Sequence, residues 1–586
     1  MKPLLRLIPY LARYKKTLVL GVFTVVMSNV FAVAIPLFVG RAIDIIKEGL
    51  SAGNLNTGNL LTYAGLLVGF SVVSGFFTFL TRQTIIVVSR KVEYDLRNDF
   101  LSHIQKLSLS FFQNTPTGDL MAHATNDISA VRNSLGPGIM YPTDTMMTFT
   151  MVIVVMLFQD WQLTLMALIP LPFVSFAVYR LGKIVHVKFQ ERQEQYAELT
   201  TRAQENLSGI RVVKAYVREQ YEIGLFRSLS LDYLKRNLVL ARVQSIMWPL
   251  MFLLVGLSLV ITLYQGGLRV IDGRLTIGML TAFLGYLAIL IWPMIAFGWV
   301  INILQQGAAS MARLARIWDT PPEIQDSEQT DDSIQTISGQ IEFRGVNFQY
   351  RGAKNPSLYN MNLLIPQGST VAIVGYTGAG KSTLVNLLPR LCDISKGDLL
   401  IDGIPIQQIP LKVLRENIGY VPQETFLFSD SIMENISYGA DNGTDDHVRE
   451  AAEISQLVND VDDFPKGFRT MLGERGITLS GGQKQRASIA RAVMRKPKIL
   501  ILDDALSAVD THTEEEVLKR LKSVMSKRTS ILISHRISTV KDADMIIVLH
   551  DGEIVERGTH DELVKLGGKY ADLHQKQLLE KELEEL

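Results

Sequence analysis

The hydrophobic residues of this chain lie in long unbroken blocks up to about residue 310 and in shorter runs beyond it. A helix needs about 20 apolar residues to cross the hydrocarbon core of a bilayer. Six segments qualify, roughly 17–39, 60–88, 136–158, 161–182, 243–265 and 277–303, and none follows residue 310. They include "TLVLGVFTVVMSNVFAVAIPLFVG", "MMTFTMVIVVMLF", "PLMFLLVGLSLVITLY" and "MLTAFLGYLAILIW"; the second segment has the least sharp ends. The run after Lys16 continues without a small-residue cleavage pattern, so it reads as a retained anchor rather than a signal peptide.

Two long connections, about 89–135 and 183–242, are rich in Leu, Glu, Gln, Lys and Arg and poor in proline. That composition predicts helices that carry the spans well past the bilayer and turn over at their far ends. In "FFQNTPTGDLMAHATNDI" Pro116 and Gly118 break the helix before Asp119 can start another, and "ENLSGIRVVKAYVRE" offers Ser208 and Gly209 at the corresponding place. On pattern alone each could equally be an ordinary helical hairpin.

Basic residues set the orientation, because Lys and Arg are retained on the cytosolic side. Lys2, Arg6, Arg13, Lys15 and Lys16 precede the first span, and both long connections are strongly basic, with Arg90, Lys91, Arg97, Lys106 and Arg132 in the first. On the other side Arg41 and Lys47 are offset by Asp44 and Glu48, and "QDWQ" has no basic residue. Both termini are therefore expected in the cytosol.

At 319–337, "DTPPEIQDSEQTDDSIQTI" shifts to Pro, Asp, Ser and Gln, the composition of a linker. From 338 to about 570, apolar strands alternate with helical stretches, which predicts soluble α/β material, and the tail at 571–586 is at most an acidic amphipathic helix. The expected fold is an all-α membrane domain of six helices with long cytosolic extensions over 1–318, joined through the linker to an α/β phosphate-loop domain.

Composition refines this picture. Of 586 residues 47% are hydrophobic, which suits a membrane portion, and Lys+Arg 59 against Asp+Glu 58 leaves a net charge of +1, so nothing points to a nucleic-acid partner. The single cysteine, Cys392, can form no internal disulfide and has no metal-site spacing around it; it reads as a small buried apolar residue.

The chemistry lies in the second half. After the strand-like "STVAIVG" comes "GYTGAGKST", which matches the phosphate-loop pattern in full: Gly375, Tyr376, Thr377, Gly378, Ala379, Gly380, Lys381, Ser382 and Thr383. Glycines let such a loop wind tightly so that its N–H groups face phosphate oxygens, while the following helix offers its positive end to the same anion. Lys381 is expected on the β- and γ-phosphates, and the Ser382 hydroxyl on Mg²⁺. Asp503 ends the apolar run "KILIL" and is the expected second anchor for Mg²⁺. It gains weight from "LSGGQKQR" upstream and from "ILISHR", which brings His535 to the end of the next apolar strand.

With these motifs, and "YVPQETFLF" and "SAVD" between and after them, the chain resembles an ATP-binding cassette exporter half-transporter over almost its whole length. The resemblance implies ATP and Mg²⁺ as ligands, a bacterial plasma membrane as the setting, and a small amphipathic substrate such as a drug or lipid. It also implies that Tyr350, otherwise readable as a core aromatic, stacks on adenine. Gln423 would sense Mg²⁺ and the attacking water, and His535 would contact the γ-phosphate. Ser480 and Gly482 would close on the nucleotide of the opposite subunit, Asp510 would connect the two sites, and Glu474, otherwise a solvated loop charge, would contact the turns of the long connections. "TPTGDLMAHATND" looks like the first of two transverse helices that such transporters rest on their nucleotide-binding domains.

The sequence departs from the family at Asp504, where members that hydrolyse ATP well have glutamate. Basicity is little changed, but the shorter side chain draws the carboxylate back by about 1.5 Å, roughly one C–C bond. A misplacement of about 1 Å can cost on the order of a hundredfold in rate. The expected site therefore binds ATP and hydrolyses it slowly. Since "LSGGQ" is intact and serves a partner's ATP, the reading favoured is one half of a heterodimer whose other half supplies the glutamate. A homodimer with two slow sites, and a regulatory or channel-like subunit, are the alternatives; an importer is disfavoured because spans and cassette share one chain. The spans offer Met146, Met147, Met151, Met247, Trp248, Met251 and Trp292 as soft or aromatic lining for apolar cargo, though each could equally face lipid. Asp144 stands out as a carboxylate at membrane depth, with Arg82 and Gln83 as weaker cases.

Overall fold

The computed structural model describes residues 2–51, 57–440, 443–473, 476 and 479–584. Two compact units emerge: residues 1–104 with 117–320, and residues 105–116 with 321–586. Glu474 lies outside the described residues.

The first unit is entirely helical among the described residues. Among the described residues, five helical stretches are long and apolar enough to cross a membrane: Lys15–Ser51, Gly58–Ile104, Thr117–Gln159, Glu219–Ile271 and Ile277–Trp318. Their 37 to 53 residues correspond to about 55–80 Å of helix, well beyond a hydrocarbon core of about 30 Å. The expected spans at 17–39, 60–88, 136–158, 243–265 and 277–303 fall inside them. The expectation at 161–182 meets a different structure: Trp161–Leu168 and Pro170–Ser208 are separate helices. Pro170 brings no N–H to the ladder, although Ile169 keeps helical angles (φ −51°, ψ −44°), and Arg180 and Lys183 soon make the longer helix polar. No single helix there holds a sufficiently long apolar window.

Packing in this unit relies on small residues and on carboxylates at helix ends. A Cβ on Gly278 would sit 2.0 Å from the Gly40 carbonyl oxygen, so these two helices meet backbone to backbone. One turn on, Asp44 accepts from the Thr276 hydroxyl at 2.7 Å and from Gly278 N–H at 2.8 Å, satisfying donors at the start of Ile277–Trp318 that the helix itself leaves free. Asp160 caps Trp161–Leu168 through Leu163 N–H at 2.9 Å and pairs with Arg269.

The first predicted break lies at Thr115 and Pro116, as expected, but the short helix beside it is on the other side. The short helix there is Leu109–Asn114, ending before Pro116, rather than the following "TPTGDLMAHATND". Residues 117–135 instead run as helix through a π-turn at His123–Asp127. The residue before a proline is pushed away from helical angles, and Thr115 is extended (φ −125°, ψ 114°), which ends Leu109–Asn114 just before Pro116. In the second connection the break is at Gly209, followed by the short helix Ile210–Ala215. Within the second unit, Ser108 and Ser110 donate to Glu323 at 2.9 and 2.8 Å, and Arg351 pairs with the same carboxylate at 3.0 Å, tying Leu109–Asn114 to the start of the α/β material.

The strands of the second unit are β1 (Ile341–Phe348), β2 (Leu358–Ile365), β3 (Thr370–Gly375), β4 (Lys396–Ile401), β5 (Ile404–Pro405), β6 (Ile418–Val421), β7 (Ile499–Asp503), β8 (Thr529–Ile533), β9 (Met545–His550) and β10 (Glu553–Gly558). One sheet has the order β2-β1-β4-β5 and is antiparallel; the other has the order β10-β9-β3-β8-β7-β6, parallel except for the β9–β10 pair. The central strands β7 and β8 are buried at every residue, which explains why they read as continuous apolar runs rather than alternations. In register, Ile373 of β3 and Asp503 of β7 both flank Ile533 of β8. The ends of β3, β7 and β8 thus share one edge of the sheet, the carboxyl edge where open α/β sheets hold ligands.

Candidate nucleotide site

Gly375 ends β3 and Lys381 opens the helix Lys381–Asn386. Two glycines between them are obligatory. Gly375 has φ 151° and a Cβ there would be 2.3 Å from the Leu549 carbonyl oxygen; Gly380 has φ 97° and a Cβ there would be 2.7 Å from that of Ser357. Tyr376, Thr377 and Gly378 are exposed on the loop, and Ala379 and Thr383 are buried beneath it. Lys381 is 7% exposed, and its Nζ donates to the carbonyls of Gly375 at 2.8 Å and Tyr376 at 2.9 Å. Burial pulls its pKa below the ordinary lysine value, against the attraction of Asp504 and Asp503.

Asp503, 2% exposed at the end of β7, faces the Ser382 hydroxyl. Burial, with repulsion from Asp504, pushes its pKa above the usual carboxylate range. Its Oδ1 is buried without a hydrogen-bond partner among the described residues. A buried carboxylate oxygen left unpaired beside a hydroxyl is the donor set a hard divalent cation takes, so Asp503 and Ser382 fit Mg²⁺. The cost of the buried charge has a definite pH course. It is absent where both folded and unfolded chains hold the proton, and it grows as pH rises through the unfolded value of about 3.9 towards the raised folded one. Asp503→Asn is therefore expected to raise the melting temperature of the nucleotide-free protein at pH 7 by about 1–2 °C while abolishing the further rise produced by ATP with Mg²⁺. Thermal melts with and without Mg·ATP check both halves.

Asp504 lies at φ 49°, a left-handed conformation that aspartate tolerates better than most residues. Its N–H donates to the Ile533 carbonyl at 2.9 Å, and its carbonyl accepts from the Ser507 hydroxyl at 3.0 Å. His535, just past β8, has an exposed side chain on a held backbone. Its neighbour Arg536 pairs with the buried Glu514, which also accepts from the Thr539 hydroxyl at 2.6 Å. Tyr350 is half-buried, edge-on to Phe348 with ring centres 4.8 Å apart, and its hydroxyl lies 3.2 Å from that of Thr383. Gln423 is exposed just after β6.

The structure thus gathers Lys381, Ser382, Asp503, Asp504 and His535 around one sheet edge, with Tyr350 touching the same helix. Ser480 and Gly482 belong to a different surface. Ser480 caps the helix Gly481–Met494 in a reciprocal box with Gln483, and its side chain is exposed. Gln485 from this helix donates to Ser507 at 2.9 Å and accepts from Ala508 N–H at 2.9 Å, so the segment leading to Asp510 is fixed to it. Asp510 itself is exposed and caps Thr511–Met525 through Thr513 N–H at 3.0 Å, which holds its carboxyl below the usual range.

The comparisons agree with this geometry. Residues 18–294 match the family described as "ABC transporter transmembrane region" and residues 358–507 the family described as "ABC transporter". A protein of Bacillus subtilis (strain 168) called "Probable multidrug resistance ABC transporter ATP-binding/permease protein YheI" is 37% identical over 571 residues, 97% of this chain and 96% of that protein. This chain belongs to the ABC transporter family. The transporter is also 34% identical over 546 residues to "Multidrug resistance-like ATP-binding protein MdlA" of Escherichia coli (strain K12), covering 93% of this chain and 92% of the other. It is 37% identical over 490 residues to an "ATP-dependent lipid A-core flippase" of Desulfotalea psychrophila, covering 84% and 85% of the two chains. Its fold is similar to that in "Structure of a bacterial Atm1-family ABC exporter with ATP bound", with a TM-score of 0.78 at 28% identity over 97% of this chain and 99% of that one.

Sequence reasoning missed three contributors to the transporter's site: Gln577, which bonds the backbone around His535, Glu514, which pairs with the neighbouring Arg536 side chain, and Gln485, which links the signature helix to the Asp504–Ala508 turn. Glu514 and Gln577 belong to no spacing pattern that carries chemistry, and Gln485 lies within "LSGGQKQR" at a position to which that pattern assigns no role. In the spans, Asn29 donates to Asp144 at 2.8 Å and accepts from the Thr148 hydroxyl, so the carboxylate is held by a neighbouring helix. Met146 and Trp292 are exposed, Met251 is buried, Met147, Met151 and Met247 are half-buried, and the Trp248 side chain lies outside the described residues. Arg82 and Gln83 are exposed at the π-turn Arg82–Ile86.

Proposed function

We propose that the transporter exports hydrophobic or amphipathic compounds, drugs or lipids, by ATP-driven alternating access, as one subunit of a heterodimer whose partner supplies a catalytic glutamate. The observation that carries the ATP-dependent part is the cluster of Lys381, Ser382 and Asp503 at the carboxyl edge of the sheet. In this reading the loop from Gly375 to Thr383 holds the phosphates, Tyr350 stacks on adenine, and Gln423 and His535 bracket the γ-phosphate and water. Mg²⁺ on Ser382 and Asp503, with Gln423 nearby, would neutralise charge between the β- and γ-phosphates. ATP shared between two cassettes draws them together, and that differential affinity shifts the spans from inward- to outward-facing.

The asymmetry rests on Asp504 beside a signature whose Ser480 cap is intact and exposed. Such a chain completes a partner's site better than its own. We place six spans in residues 1–318, the fourth running from Trp161 through the proline junction into Pro170–Ser208, both termini in the cytosol and the assembly in a bacterial inner membrane. Residues 319–337 act as linker, 338–570 as the cassette and 571–586 as its tail. The names of the relatives support a drug or lipid cargo, and Asp144, braced by Asn29, favours cargo carrying positive charge.

Reconstitution in vesicles tests this. ATP-dependent movement of a cationic dye or a labelled lipid is expected when a partner subunit is coexpressed, and little without it. Robust ATP hydrolysis by a stable homodimer of the purified chain would instead establish the homodimeric exporter.

A further inference from the structure

The tail reads from sequence as at most an acidic amphipathic helix, and in the structure one face of the last helix, Lys569–Glu584, is fastened to the cassette. Glu556 of β10 accepts from the N–H groups of Lys569 and Tyr570, the latter at 3.0 Å, anchoring the helix start. Tyr570 is fully buried with its hydroxyl 2.7 Å from His560 Nδ1, and Leu573 packs against the cluster containing Ile537 and Val540. Positions i, i+3 and i+7 share a helix face, so anchoring Tyr570 and Leu573 aims residue 577 at the same surface. There Gln577 accepts from Ile537 N–H at 2.8 Å, and its Nε2 donates to the His535 carbonyl. The preceding residue, Lys576, places its Nζ 5.7 Å from the ring centre of Tyr376 on the phosphate loop.

We propose that Gln577 is a positioning residue that sets the exposed imidazole of His535 for contact with the terminal phosphate of ATP. The inference rests on the reading of His535 as a γ-phosphate ligand. A single amide spans the backbone on both sides of Arg536, whose guanidinium is pinned to Glu514 from the helix Thr511–Met525. Held from two directions, the turn is braced, and the bracing fixes where the side chain of His535 leaves the backbone. Without the amide, the His535 carbonyl and the Ile537 N–H lose these partners, and what holds the turn acts through Arg536: its N–H on the Ser534 hydroxyl, its guanidinium on Glu514 and its carbonyl on Thr539 N–H. The site would still hold the adenine and the first two phosphates, since those contacts come from Tyr350 and the loop.

The test measures displacement of a fluorescent nucleotide from the full-length protein by Mg·ATP and by Mg·ADP, for the unmodified chain, Gln577→Leu, His535→Ala and the double variant. Gln577→Leu keeps the side chain's bulk and loses both hydrogen bonds. It is expected to weaken Mg·ATP three- to tenfold with Mg·ADP unchanged, and the double variant should be no worse than His535→Ala, because the two act through one contact. Gln577→Glu, which keeps the acceptor for Ile537 and loses the donor for His535, should shift the ATP-to-ADP ratio in the same direction if the leucine variant does not fold. Equal weakening of ATP and ADP, or additive losses in the double variant, would overturn the positioning role. An unchanged ATP affinity in His535→Ala would overturn the reading of His535 and the inference with it, whereas a loss in His535→Ala but none in either Gln577 variant would overturn the inference alone.

Discussion

Replacing Asp504 by glutamate is expected to raise ATP turnover at this chain's own pocket by on the order of a hundredfold, with the KM for ATP changed little. The argument is one of reach on a fixed backbone. The Asp504 N–H is held by Ile533 at 2.9 Å, and its carbonyl by the Ser507 hydroxyl at 3.0 Å and by Gln485 at 3.4 Å. The main chain therefore does not advance to make up the missing methylene, about 1.5 Å of carboxylate position. Since the pKa ranges of the two acids overlap, the gain reports placement rather than base strength. The left-handed backbone at φ 49° suits aspartate better than glutamate, so the variant should lose roughly 1 kcal/mol or less in stability. Phosphate release from the assembled dimer, with its partner's base disabled if the partner differs, gives the rate. An unchanged rate with ATP still bound would show that something other than the side chain's length limits this pocket.

Why this residue could be singled out from sequence, while Gln577 could not, is a matter of how each makes its contacts. Lys381, Ser382, Asp503 and His535 sit at the ends of short apolar strands or in a loop whose glycine spacing is dictated by local backbone geometry, so their order along the chain already encodes their meeting place. Parallel pairing of β3, β8 and β7 then brings those ends to one edge. The Gln577–His535 bond spans 42 positions and depends on how a helix seats on β10 through Glu556, which no local pattern announces. In the helical half, hydrophobic length finds five of the six expected spans, and whether Pro170 divides a span or merely interrupts its ladder depends on its neighbours rather than on composition. The first long connection is ambiguous for a related reason. Pro116 ends the helix before it as well as starting the one after it, so the break alone does not say which side is transverse, and "TPTGDLMAHATND" continues into the long helix.

Lys381→Met should remove most ATP binding while leaving the fold in place. The Nζ lies in a buried setting on the carbonyls of Gly375 and Tyr376, and Lys381 is the one cationic side chain in the run from Gly375 to Thr383. Losing a buried, hydrogen-bonded cation opposite a phosphate costs about 3 kcal/mol, or on the order of a hundredfold in Kd. Methionine fills much of the same volume, and the charge it removes is one that burial disfavours, so the nucleotide-free melting temperature should hardly move. The same burial gives a pH signature whose sign is fixed. A lysine with a lowered folded pKa destabilises the fold while it is charged, and that cost fades as pH rises through the lowered value. ATP affinity, which needs the charge, should fall over the same range, at lower pH than an ordinary lysine would require. Isothermal titration of ATP from pH 7 to 10 should show this decline in the unmodified protein and a flat, weak profile in Lys381→Met. An equal decline in both proteins would assign the titration to another group.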